Sequence, residues 1–157
     1  MDEITIARAL HVLAIVHWIG GVSMVTLVLL PAFSRMGQPT DRLSGFEAVE
    51  GRFAHQARWS TTLAAISGFY MVHAMGVWDR FTDPTYWWMH AMVLVWAVFA
   101  FMLFVAEPLF LKQWFARRAE RNPDGTFRLV QRVHVVLLSL SLITVGAAVL
   151  GAHGALL

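Results

Sequence analysis

Seven histidines and no cysteine carry whatever chemistry this 157-residue chain can do. Without thiols, the sequence excludes disulfides, iron–sulfur clusters, thiolate zinc sites and cysteine nucleophiles. His11, His17, His73, His90 and His134 fall inside long apolar stretches, as does Glu107, and His55 and His153 stand at their edges. An imidazole can ligate a metal or a haem iron, or move a proton near neutral pH. A carboxylate in the same surroundings marks a proton path, a quinone site or an ion pair. Polar groups are costly inside a bilayer, so each one needs a partner. A histidine can also do no more than hydrogen-bond a neighbouring helix, and Glu107 can do no more than pair with Arg35, Arg58 or Arg132.

The elements that must position these residues are apolar and long. Hydrophobic residues make up 58% of the chain and charged residues 14%, with a mean hydropathy of +0.61. A soluble domain carries roughly 25% charge. Four stretches, at residues 4–33, 59–78, 86–111 and 129–151, each reach the ~20 residues that a transmembrane helix requires. None alternates apolar and polar residues, so a β-barrel does not fit. The first stretch opens with Asp2 and Glu3 rather than a basic cluster, which points to a span and not to a cleaved signal peptide. The expected fold is all-α: one domain over 1–157, an integral membrane antiparallel four-helix bundle. The net charge of only +2 and the sorting of its sign by loop exclude a nucleic-acid binder despite a pI of 9.7.

Ten of the twelve basic residues lie between spans one and two or from the end of span three to the start of span four; only Arg8 and Arg80 do not. The positive-inside rule then places both long loops in the cytoplasm and both termini outside. In a bacterial inner membrane, outside is the periplasm. Asp83-Pro84 predicts a hairpin between spans two and three, and Asn122-Pro123-Asp124-Gly125 a turn before span four. Phe46, Val49, Phe53 and Ala57 recur at helical spacing, so Leu43–Arg58 either lies along the inner interface or extends span two inward. Trp18, Trp59, Trp78, Trp87, Trp88 and Trp114 mostly stand near span ends, as in an aromatic belt. Gly20, Gly21, Gly68 and Gly146 allow close helix approach or leave room for a flat cofactor.

At 1.5 Å per residue, His11, His73 and His90 lie roughly 6–10 Å below the outer ends of their spans. His17 is near mid-membrane, and His55, His134 and Glu107 lie roughly 25–35 Å down. Two layers of ligands result. A haem b needs two axial ligands on facing helices, and bundle cores build such sites from facing side chains. If the helices pack in sequence around a square, His11 and His90 make an outer pair, with His73 as substitute. His55 and His134 then make an inner pair, so that one haem b or two would be held. Haem propionates want cationic partners, which Arg58, Arg128 and Arg132 supply at the inner level. Glu107 and His17 are the proton or quinone candidates.

Methionines flank the outer histidines in Met71-Val72-His73-Ala74-Met75 and Met89-His90-Ala91-Met92. Thioether with imidazole suits Cu(I), so copper is the alternative metal, although neighbours one or two apart on a helix point away from each other. There is no Gly-rich phosphate loop, no G-x-S-x-G and no H-E-x-x-H, which leaves hydrolase and nucleotide chemistry without parts.

The run Leu10-His11-Val12-Leu13-Ala14-Ile15-Val16-His17-Trp18-Ile19-Gly20-Gly21, continuing to Leu30-Pro31, resembles the opening helix of the CopD-type copper-resistance membrane domain and of HemJ, the membrane protoporphyrinogen oxidase. Trp88-Met89-His90-Ala91-Met92 resembles the start of HemJ's third helix, in which a lysine typically stands where this chain has Met92. The resemblance implies a four-helix membrane fold, with haem b in HemJ relatives and copper in CopD relatives. His11 is the position that carries over best. The expected function is a cytochrome b-like, haem-b-binding inner-membrane protein. It would pass electrons between a quinone or periplasmic donor and a redox partner, and a homo-oligomer is compatible with it. CopD-like copper handling is the alternative, and HemJ-like oxidase activity a second one.

Overall fold

The computed structural model describes residues 2–35 and 39–155, and they are almost wholly helical. They form four rods. The first joins α1 (Glu3–Met24), a π-helical segment (Val25–Leu29) and α2 (Leu30–Ser34). The second is α3 (Pro39–Ala74), one uninterrupted helix. The third joins α4 (Trp87–Phe101), a π-helical segment (Met102–Leu111) and α5 (Lys112–Arg121). The fourth is α6 (Pro123–Ala152).

The ends of the rods follow from local chemistry. Asp2 caps α1, its carboxylate accepting from the Ile4 amide at 3.3 Å, and Glu3 in the first turn suits the positive end of the helix dipole. Asn122 caps α6 by accepting from the Gly125 amide at 2.9 Å, with Pro123 at the first helical position. The Asn-Pro-Asp-Gly turn is therefore a joint one residue wide, and α6 begins six residues before the expected span. Gly76 closes α3 at φ +64°, a left-handed conformation that favours glycine. Short 3-10 turns at Trp78–Phe81 and Pro84–Tyr86 then lead into α4.

Among the described residues, three helices are long and apolar enough to cross a membrane: Glu3–Ser34, Pro84–Arg121 and Pro123–Ala152. The sequence expectation was four. The stretch at 59–78 differs because Ser60, Thr61, Thr62, Ser67, Tyr70 and His73 dilute it and because its helix stops at Ala74. Its buried hydroxyls are satisfied within α3. Ser60 donates to the Gln56 carbonyl, Thr61 to that of Ala57 and Ser67 to that of Leu63. The Leu43–Arg58 segment takes the second of its two expected courses, as the first half of α3.

Neighbouring rods run antiparallel. His11 meets Gly68, Phe53 meets Gly21 and Phe33 meets Gly45, pairing α1 and α2 with α3 from end to end. A Cβ at Gly21 would stand 2.4 Å from the Phe53 ring, so glycine is what lets these helices approach. The same logic joins α4 and α6, where a Cβ at Gly151 would stand 2.3 Å from the Trp88 ring. Trp18 and Phe99 meet edge to face at 4.9 Å between α1 and α4, with Ile19, Val22 and Leu138 packed around them. A second cluster joins Val25, Leu30, Phe46 and Phe127. Large apolar side chains such as Leu13, Val16, Leu27, Leu94, Leu109 and Ile143 are exposed, as surfaces facing lipid would be.

Candidate functional site

Polar chemistry gathers in two places. The first is on α1. His11 is half-buried against α3, its Nδ1 2.9 Å from the Ala64 carbonyl oxygen and 3.1 Å from Ser67 Oγ. A carbonyl can only accept, so Nδ1 carries the proton and Nε2 keeps its lone pair. Holding Nδ1–H on a backbone carbonyl is how proteins orient an imidazole whose other nitrogen binds a metal. The ring rests on Gly68, where a Cβ would stand 3.0 Å from its Cε1. Seven residues further on, Trp18 is 2% exposed, and its indole N–H finds no acceptor among the described residues. A buried donor without a partner costs ~1–3 kcal/mol. A heptad on an α-helix drifts only about 20°, so His11 and Trp18 share one face, roughly 10 Å apart along the axis.

The second place is the π-helical part of the third rod. Pro108 follows Glu107 there, and a proline inside a helix ordinarily kinks it; instead the helix continues with its hydrogen bonds reset to five-residue spacing. In that register the Leu103 carbonyl should accept from residue 108, and Pro108 has no N–H. Arg58 supplies the missing donor, its Nε lying 3.0 Å from the Leu103 oxygen. Its Nη2 also lies 3.2 Å from Glu107 Oε2, and Lys112 Nζ lies 3.4 Å from Oε1. Glu107 is 5% exposed, and each of its oxygens faces one cation. Residues five apart lie about 140° apart around an α-helix; the wider π-helical turn lets Glu107 and Lys112 meet.

The first rod repeats the device. In Val25–Leu29 the Leu30 amide donates back five residues to Val25. The next carbonyl, that of Thr26, should accept from Pro31, which again has no N–H. Gln131 of α6 donates to it at 2.9 Å. Neither Gln131 nor Lys112 was singled out from the sequence. Part of the signal was present, since a proline within a helix leaves a carbonyl in the preceding turn in need of an outside donor.

The other candidates are placed less centrally. His90 is exposed and donates through Nε2 to the Phe81 carbonyl at 2.9 Å, while Trp88, Met89 and Phe99 are the α4 residues buried in the core. The structure does not bring it to His11. His73 and His17 are exposed. His134 has Nδ1 3.0 Å from the Val130 carbonyl of its own helix and lines a small cavity of about 20 Å³ with Val25, Phe46, Glu50 and Phe53. His55 accepts from Trp59 Nε1 at 3.3 Å and is exposed. It stands two residues, about 200° of helix, from Phe53, so it and His134 lie on different sides of α3. Arg58, expected beside a propionate, is engaged by Glu107 and Leu103, and Arg128 and Arg132 are exposed. Among the described residues, no three histidine or acidic side chains converge where a metal ion could sit.

His11 Nε2 and the Trp18 N–H are thus both left open on one face of α1, and no second imidazole is positioned beside His11 among the described residues. Compared with protein-family models, with curated proteins and with solved structures, the chain matches none.

Proposed function

We propose that the chain is a four-span antiparallel bundle of a bacterial inner membrane, with both termini on the periplasmic side, that binds haem b through His11. The observation that carries the reading is one face of α1. His11 has a fixed tautomer with Nε2 open, and Trp18 is a buried donor that lacks an acceptor. Three apolar helices of membrane length support the bilayer setting, and the basic inner loops support the orientation. The resemblance of the first span to HemJ and CopD domains points to the same histidine.

In this reading a haem held by His11 would supply one-electron redox chemistry between a quinone or periplasmic donor and a redox partner. The chain supplies the ligand, its orientation and a water-poor setting. Ala64 holds the imidazole, Gly68 leaves room for it, and Trp18 offers a hydrogen bond to an acidic or carbonyl edge of the ligand. One haem is proposed rather than two, since His55 and His134 are separated by α3.

The test is the optical spectrum of the purified protein. The expected result is a Soret band with reducible α and β bands, lost in His11→Ala and retained in His55→Ala. Gly68→Leu should weaken haem retention by crowding His11. A colourless protein that carries copper would replace this reading with the CopD-like one. A spectrum unchanged in His11→Ala would remove the ligand assignment.

A further inference from the structure

The third rod runs well past what a bilayer needs. Pro84–Arg121 comprises 38 residues, about 57 Å of helix against a hydrocarbon core of ~30 Å. Its last segment, α5, therefore lies at or beyond the headgroup level on the basic side. There Phe110, Trp114, Arg117, Arg118, Arg121 and Asn122 line a cleft of about 540 Å³. The spacing of 110, 114, 117, 118 and 121 is that of a single helix face. The face is graded, with two aromatic rings on the membrane side and three guanidinium groups one to two turns further out.

Among the described residues, the charge on this face is not balanced by carboxylates. Arg118 stacks over Trp114, its guanidinium carbon 5.5 Å from the ring centroid. Among the described residues, Arg117 and Arg121 have no carboxylate partner, and Asp124 is taken by Arg42 at 2.8 Å. Glu120 lies about 100° around the helix from Arg121, off the cleft. A phosphodiester accepts the forked hydrogen bonds of arginine, and rings at the base of the cleft suit the glycerol and upper acyl region.

We propose that this cleft is a binding site for the headgroup of an anionic phospholipid of the inner leaflet. Arg117 and Arg121 grip the phosphate, Arg118 is held ready by Trp114, and Phe110 packs the first acyl carbons. A zwitterionic lipid brings a cation of its own into the cleft and binds less well. The site depends on the membrane setting and not on haem.

The test is native mass spectrometry of the full chain in detergent, titrated separately with phosphatidylglycerol, phosphatidylcholine and inorganic phosphate. Phosphatidylglycerol should bind at least about tenfold more tightly than phosphatidylcholine, and the triple variant R117Q/R118Q/R121Q should lose that preference. Arg128→Gln, exposed on the same side but outside the cleft, should keep it, and so should R117K/R118K/R121K in part. Equal binding of the two lipids by the unaltered chain would overturn the proposal. So would an unchanged preference in the triple variant, or an equal loss in Arg128→Gln. Displacement of phosphatidylglycerol by equimolar phosphate would mark a site for soluble anions instead. If the triple variant does not fold, Arg121→Gln alone, expected to lose several-fold, gives the same decision.

Discussion

The two π-helical segments solve one problem with different chemistry. Each precedes or contains a proline whose missing N–H strands a carbonyl five residues back, Thr26 in the first rod and Leu103 in the third. A neutral amide, Gln131, serves Thr26. A guanidinium, Arg58, serves Leu103. The amide adds no net charge to the interior, so nothing further is needed around it. The guanidinium does add charge, and a buried ion without a counter-charge is costly. Glu107 supplies the counter-charge, and Lys112 then occupies the second carboxylate oxygen. The buried carboxylate, conspicuous in the sequence as a proton or quinone candidate, is thus explained by its place in a helix repair.

Breaking the charged device should cost most. Arg58→Leu strands both the Leu103 carbonyl and most of the Glu107 charge, and should lower stability by about 3 kcal/mol, read as the unfolding midpoint in mixed micelles. Glu107→Gln keeps an acceptor near Arg58 but removes the charge, with an expected loss of about 2 kcal/mol. A loss in Glu107→Gln larger than in Arg58→Leu would show that the carboxylate has a role beyond neutralising the arginine. Gln131→Leu strands one neutral carbonyl and should cost about 1 kcal/mol. Parity with Arg58→Leu would erase the distinction between the segments. The smallest effect is a coupling. Pro108→Ala returns an N–H to the helix, so the double variant Arg58→Leu/Pro108→Ala should recover about 1 kcal/mol relative to additivity; strict additivity would mean that Arg58 does not stand in for the missing amide.

Much of this was legible in the sequence, and the reasons differ from residue to residue. The apolar stretches announced helices because their length and composition admit little else. Asn122-Pro123 announced a helix start, although the apolar count placed it six residues late, since Phe127 and Thr126 are buried by packing against neighbours rather than by lipid. Depth along a helix could be counted, and it placed His11, His73 and His90 at similar levels. Direction around the axis could not be assigned, because apolar residues surround these helices on every side and no stripe marks the inner face. His90 and His55 share depth with their intended partners and face elsewhere. His11 stood out as a polar residue in an apolar helix, but its partners Ala64 and Ser67 lie more than fifty positions away and are known only from packing.

The length of α3 has a mechanical consequence. Thirty-six residues without a break make a stiff rod of about 54 Å, nearly twice the thickness of the bilayer's oily interior. Its N-terminal half carries Phe46 and Phe53, locked into the aromatic packing of the other rods, and its C-terminal half carries Ala64, Ser67 and Gly68, which set the pose of His11. With no joint between the two halves, a push at one end is delivered at the other, as through a crankshaft. A partner gripping the watery end of this rod would be turning the imidazole.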